Sequence, residues 1–167
     1  MIKKIYESNG IFTGGIVRDY LLLGECFNDV DFYFNEQPEW IFQWPNNRQK
    51  FWLTKNCVVY HCQKSPFNWD LSCNLFNFSK ERGIFAKPSI HKFDYEKAFE
   101  MLLHKRFSLL HLVAMNLKLK MIGRGWIAEP SFYETQEEQA PEHGSWEKYS
   151  DLARERIKEL FEHESAE

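Results

Sequence analysis

At 167 residues, 44% hydrophobic and 17% aromatic, the chain can bury the core of one domain, alone or with a small helical appendage, and its composition is not that of a disordered segment. A net charge of −3 and a pI of about 6.1 exclude a surface built to grip a long nucleic acid non-specifically, while leaving room for a local basic patch that holds a nucleotide or a short RNA end. There is no apolar run of about 18 residues to span a membrane. The opening MIKKIYESNG lacks a signal peptide's apolar centre. The expectation is a cytoplasmic protein whose four cysteines, Cys26, Cys57, Cys62 and Cys73, are free thiols.

In chain order, residues 1–9 read as a short helix or strand, and Gly10–Thr13 as a strand. Gly14-Gly15 is a turn that tolerates positive φ and lets a phosphate or another backbone come close. Ile16–Leu23 is apolar enough for a buried helix whose N-terminus, facing the glycines, suits an anion. Asn28–Phe34 is a second strand, Pro38–Phe42 a short helix with an early proline, and Gln43–Lys50 a loop. Phe51–Leu53, Cys57–Cys62 and Phe67–Phe78 read as strands, the last with Asp70 opposite the Phe67, Trp69, Leu71, Cys73 face. Lys64–Pro66 is a turn and Ser79–Pro88 a hairpin or loop around Gly83. From Asp94 to Ile122 apolar residues recur every three to four positions, with a break near His104–Phe107, and Gly123-Arg124-Gly125 ends the pattern. Ile127–Gly144 reads as polar loop, and Ser145 caps a last helix carrying Trp146, Tyr149, Ala153 and Ile157 on one stripe.

Chemistry concentrates in Phe12–Phe34, FTGGIVRDYLLLGECFNDVDFYF. Asp29 and Asp31, two apart on a strand, lie on one face and can share a metal ion. Asp70 is a candidate third carboxylate. Arg18 can reach a phosphate or pair with Asp19. Cys57, His61 and Cys62 lack zinc-knuckle spacing and read as a strand with small buried thiols. His91, His104 and His111 read as packed residues. Lys105, Arg106, Lys118, Lys120 and Arg124 form either a solvated helix face or a contact for a triphosphate or RNA end.

The run Gly14, Gly15, Val17, Arg18, Asp19, Leu21, Leu22, Gly24, then Asp29 and Asp31, resembles the head domain of tRNA CCA-adding enzymes and bacterial poly(A) polymerases. It departs by an extra Leu23 and a shorter gap before Asp29. The resemblance implies an α+β nucleotidyltransferase (DNA polymerase beta-like) fold, a mixed sheet with flanking helices. Residues 1–92 would be the catalytic head and 93–167 a helical neck-like extension. It implies Mg²⁺ at Asp29 and Asp31 in a two-ion site, with catalysis by Asp29, Asp31 and Asp70. It also implies NTP contacts from Thr13, Gly14, Gly15 and Arg18, with Asp19 at a ribose hydroxyl. The expected reaction is NMP transfer from an NTP, ATP among them, to a hydroxyl acceptor such as a tRNA or RNA 3′ end.

A weaker likeness covers residues 57–88, where Asp70 and Asn74 match an Arg-Arg-Asp-x-x-x-Asn run that lacks both arginines here. In that alignment Asp70 is structural. The family's base-reading Glu-Asp-x-x-Arg has no match near Ser108–His111, likeness is faint over 94–130, and body and tail domains have no counterpart. Two other classes stay open: a degenerate head that binds a nucleotide without transfer, and a regulatory partner of a larger enzyme. A protein or small molecule is an alternative acceptor.

Overall fold

The structure is a computed structural model. It describes residues 1–43, 48–53, 56–64, 70–86, 94–110, 115–130 and 146–166. The elements are α1 (Ile2–Glu7), β1 (Ile11–Thr13), a π-type helix (Ile16–Leu22), β2 (Asp29–Tyr33), a 3₁₀ turn (Glu39–Gln43), β3 (Arg48–Leu53) and β4 (Asn56–Cys62). A 3₁₀ turn (Ser72–Asn74), β5 (Phe76–Ser79), β6 (Gly83–Ala86), α2 (Tyr95–Leu103), β7 (Arg106–Phe107), α3 (Met115–Gly123), β8 (Ile127–Ala128), α4 (Glu147–Glu159) and β9 (Glu164–Ala166) follow.

Seven strands form one mixed sheet in the order β6-β5-β1-β2-β4-β3-β9. The β2–β4 pair is parallel, and the other pairs are antiparallel. Helices flank it, so the class is α+β with a mixed sheet. Burial along β2 alternates as the strand period requires: Val30 and Phe32 enter the core, while Asp29 is exposed and Asp31 half-buried on the opposite face. The core is continuous and draws on both halves of the chain, from Ile2, Phe12, Leu21 and Phe32 to Leu102, Phe107, Ala153 and Ile157. Phe99 stacks at 5.1–5.2 Å centroid separation on Trp146 and Tyr149, with Phe76 at 5.2 Å from Phe99, so α2, α4 and β5 share an aromatic knot.

α4 fastens the helix that follows Gly15. Arg156 Nη1 donates to the carbonyls of Tyr20 (3.4 Å) and Leu21 (3.0 Å), and the Tyr20 hydroxyl donates to Arg156 O (3.0 Å). Leu21 O is one of the carbonyls that a helix end leaves without an intrahelical partner, while Tyr20 O also accepts the Gly24 N–H at 2.9 Å. Ser150 Oγ accepts the Ile84 N–H at 2.9 Å and ties α4 to the sheet edge.

Several expectations change. Within the stretch read as strand Phe67–Phe78, residues 67–69 lie outside the described residues, Ser72–Asn74 is a turn rather than strand, and Phe76–Phe78 is strand as expected. Asp70 Oδ1 accepts the Leu71 N–H (2.6 Å), and Leu71 makes one bridge to Leu109. Short polar side chains bonding nearby backbone outcompete the strand that aromatic alternation suggested. The helical pattern of 94–122 breaks wider than expected. Arg106–Phe107 pairs in parallel with Ile127–Ala128, which had read as loop, and Leu110 N–H reaches Asp70 O at 2.8 Å. Arg48–Lys50, also read as loop, begins β3, and β9 was not anticipated. The Lys64–Pro66 turn beyond Lys64, His91, His111, Glu134–Glu138 and Ser145 lie outside the described residues; Trp146 stands at the N-cap of α4. Cys62 and Cys73 are buried free thiols, and Cys26 is an exposed one.

Candidate functional site

β1 ends at Thr13, and the chain turns at Gly14 with φ +71°, a left-handed conformation that penalises any side chain. A Cβ at Gly14 would stand 3.1 Å from Asp31 Oδ2, because Thr13 and Asp31 are register partners. Gly15 is different. It has φ −61° and ψ −36°, and a Cβ there would meet Arg18 Nη2 and Asp19 Oδ2 at 3.5 and 3.6 Å, an ordinary contact. The positive φ of the Gly-Gly turn therefore falls on Gly14 alone. The helix after it has seven residues, with a wide π-type turn of the kind found at functional sites, so its macrodipole is short.

Arg18 is 7% exposed. Its Nε and Nη2 donate to both Asp19 carboxylate oxygens (2.7 and 2.8 Å), and its Nη1 donates to Asn74 Oδ1 (2.8 Å). Asn74 Nδ2 donates in turn to Asp70 Oδ1 at 3.2 Å. Asp19, Arg18, Asn74 and Asp70 thus form one chain of hydrogen bonds across the floor. Burial acts to lower the Arg18 pKa, but the Asp19 carboxylate outweighs it and the guanidinium pKa rises, so Arg18 stays charged. The indole of Trp126 lies 5.8 Å from the guanidinium, a cation–π contact that links this floor to the segment after α3.

All eight site residues expected from the sequence, Thr13, Gly14, Gly15, Arg18, Asp19, Asp29, Asp31 and Asp70, line one cleft of about 220 Å³. Asp29 and Asp31 project from one strand face. Asp70 reaches the cleft but is 7% exposed, with Oδ1 held by Leu71 N–H and Asn74. His61, the register partner of Asp31, places Nδ1 3.6 Å from Asp31 Oδ1. Thr13 Oγ1 is buried, with no hydrogen-bond partner among the described residues.

The donor chemistry suits Mg²⁺. Among the described residues no three His, Cys, Asp or Glu side chains cluster to cage an ion. Asp29 and Asp31 offer hard oxygen donors beside a glycine that keeps their side open. Mg²⁺ is commonly held by one or two carboxylates, with the rest from water and substrate phosphates.

The sequence did not single out Asn28, Gln63, Leu71, Leu117 or Met121, which also line the cleft. It left Lys120 and Arg124 between two roles. Leu117, Lys120 and Met121 are spaced i, i+3, i+4, so one face of α3 meets the cleft, and Arg124 in the turn after the helix lines it too. That spacing was the available signal. Lys105 instead pairs with Glu25 (3.1 Å) and Arg106 with Glu129, away from the floor.

No family profile and no curated protein matches the chain. Several solved structures resemble it, among them these two. One is described as a tRNA-processing enzyme with CTP, at 19% identity and TM-score 0.48, covering 92% of this chain and 46% of that one. The other is an apo form of a tRNA-processing enzyme, at 18% identity and TM-score 0.49, covering 93% and 48%. The chain spans about half the length of these structures. Among the described residues no helix is long and apolar enough to cross a membrane.

Proposed function

We propose that the protein is a Mg²⁺-dependent nucleotidyltransferase that moves an NMP from an NTP to a hydroxyl acceptor, on a nucleotidyltransferase (DNA polymerase beta-like) fold with a head at 1–92 and a neck-like extension at 93–167. One observation carries this. The Gly14 turn, the Arg18–Asp19 pair and the Asp29–Asp31 strand face converge on one cleft. Their order in the sequence is the one that resembles tRNA CCA-adding enzymes, and that resemblance favours a tRNA or RNA 3′ end as acceptor.

Asp29 and Asp31 would hold the cation, which, when bound, offsets charge on the attacking and leaving oxygens. Thr13 offers a hydroxyl to a phosphate oxygen, and Gly14 lets the phosphate approach the turn. Arg18 is held on two sides and fixes the Asp19 carboxylate for a ribose hydroxyl. An acceptor oxygen bonds to the α-phosphorus as the bond to pyrophosphate breaks. The acceptor's proton passes to solvent on the exposed Asp29 side.

A second reading, nucleotide binding without transfer, is favoured by Asp70. The residue is 7% exposed, and its Oδ1 is occupied by the Leu71 N–H and Asn74 Nδ2.

Incubation with each labelled NTP, Mg²⁺ and total RNA separates the two. Label entering RNA, abolished by EDTA and by Asp29→Ala with the fold retained, supports transfer. Asp29 is an exposed strand residue outside the core, so its loss removes a ligand and not packing. Tight NTP binding without incorporation supports the second reading, and unchanged turnover in Asp29→Ala sinks the mechanism.

A further inference from the structure

We propose that Lys120 of α3 and Arg124 in the turn that follows it clamp the polyphosphate tail of the bound nucleotide, so that the cleft selects triphosphates over monophosphates through a wall that comes from outside the sheet. This deepens the nucleotidyltransferase function proposed above and rests on it.

The cleft carries four carboxylates, from Asp19, Asp29, Asp31 and Asp70, against three cations. One of the three, Arg18, is already engaged by both Asp19 oxygens and by Asn74. A triphosphate brings several more negative charges, so cations with free charge are required beside it. Lys120 and Arg124 are those cations. Both are exposed, both line the cleft, and neither forms an ion pair among the described residues. Residues 115–128 contain no acidic residue, so the positive charge of α3 is not cancelled locally. Lys120 sits on the last turn of α3 and Arg124 in the turn after it, its N–H bonded to Met121 O at 3.0 Å, and Leu117 and Met121 line the cleft with them. Those apolar neighbours displace water and strengthen the attraction to phosphate.

Thr13, which lines the same cleft, supplies a complementary donor. Thr13 is 3% exposed, and its Oγ1 has no partner among the described residues. A buried hydroxyl left unbonded is costly, and a phosphate oxygen would satisfy it. Guanidinium and ammonium suit this role, the first by forked hydrogen bonds and the second as a point charge.

The test is equilibrium binding to the full chain of pyrophosphate, of each NTP as its non-hydrolysable α,β-methylene analogue, and of each NMP, with Mg²⁺ present. The wild type is expected to bind triphosphates at least about tenfold more tightly than monophosphates, since charge-assisted hydrogen bonds contribute that much or more, and pyrophosphate is expected to compete. The double variant K120A/R124A should lose the triphosphate preference and the pyrophosphate competition while keeping its NMP affinity. K120R should retain most of both. Circular dichroism checks the fold, which the change should spare because both side chains are exposed. Unchanged triphosphate affinity in the double variant overturns the clamp, while transfer lost in Asp29→Ala would still uphold the enzyme. A double variant that loses affinity only for a single-stranded RNA with no 5′ phosphate places the cations on the acceptor and also overturns the clamp. A wild type that binds no nucleotide overturns both proposals.

Discussion

Replacing Gly14 with alanine tests the turn at the centre of the site. A non-glycine residue in the left-handed region costs about 1–2 kcal/mol, and Gly14 sits there at φ +71°. The new Cβ would also stand 3.1 Å from Asp31 Oδ2, a distance that forces a shift of a few tenths of an ångström. For a chain of this size, 1 kcal/mol moves the melting temperature by about 2–4 °C. Gly14→Ala should therefore lower Tm by about 2–8 °C, and by moving the Asp31 carboxylate it should weaken Mg²⁺-dependent nucleotide binding. Gly15→Ala is the internal control. Gly15 already has helical φ and ψ, and its Cβ would make ordinary contacts, so Gly15→Ala should leave stability unchanged or raise it by up to about 1 kcal/mol. Thermal unfolding followed by circular dichroism, with calorimetric nucleotide titration of both variants, measures the contrast. Equal Tm for the two variants, or full nucleotide affinity in Gly14→Ala, would refute the assignment of the strained position to Gly14.

Asn74→Leu should cost about 1–3 kcal/mol in urea denaturation, because Arg18 loses an acceptor and Asp70 a donor in a largely buried network; a loss below about 0.5 kcal/mol would show that the bridge carries no weight. Alkaline stability should depend on Tyr33. Burial raises its phenol from 10.0 to about 12, with Arg82 acting against it, and burial likewise raises the Cys73 thiol from 9.0 to about 12. The folded protein keeps protons that the unfolded chain releases, so the contribution from Tyr33 is full below pH 10 and is lost as pH rises through 12. Tyr33→Phe should make the fall in stability between pH 10 and 12 shallower, and an unchanged slope would remove Tyr33 as a source.

How legible each part was follows from how local its causes are. Strand, glycine turn, helix and paired-carboxylate strand occupy 23 consecutive residues, Phe12–Phe34, and each is dictated by neighbours within a few positions: apolar runs, a glycine pair, a two-residue alternation. Within Phe67–Phe78, whose end Phe76–Phe78 is strand as expected, Asp70–Asn74 misled because the alternation mimics a strand, while Asp70 bonds the backbone and Asn74 bonds Arg18, 56 residues away in sequence. The cleft face of α3 was half legible. Its spacing shows which residues share a face, but not what that face meets.

From its sequence alone, then, this protein declares the candidate site residues, the period that puts Asp29 and Asp31 on one strand face, and the α+β class, because these depend on short-range sterics and hydrophobic pattern. Only the tertiary structure decides which glycine bears the positive φ, that Asp70 is tied to Asn74 while Asp29 stays open, that β2 and β4 run parallel, and that Lys120 and Arg124 line the same cleft as Thr13. Those are long-range contacts, selected by the packing of a shared core and by the hydrogen bonds that buried polar groups must find, and no local pattern encodes them.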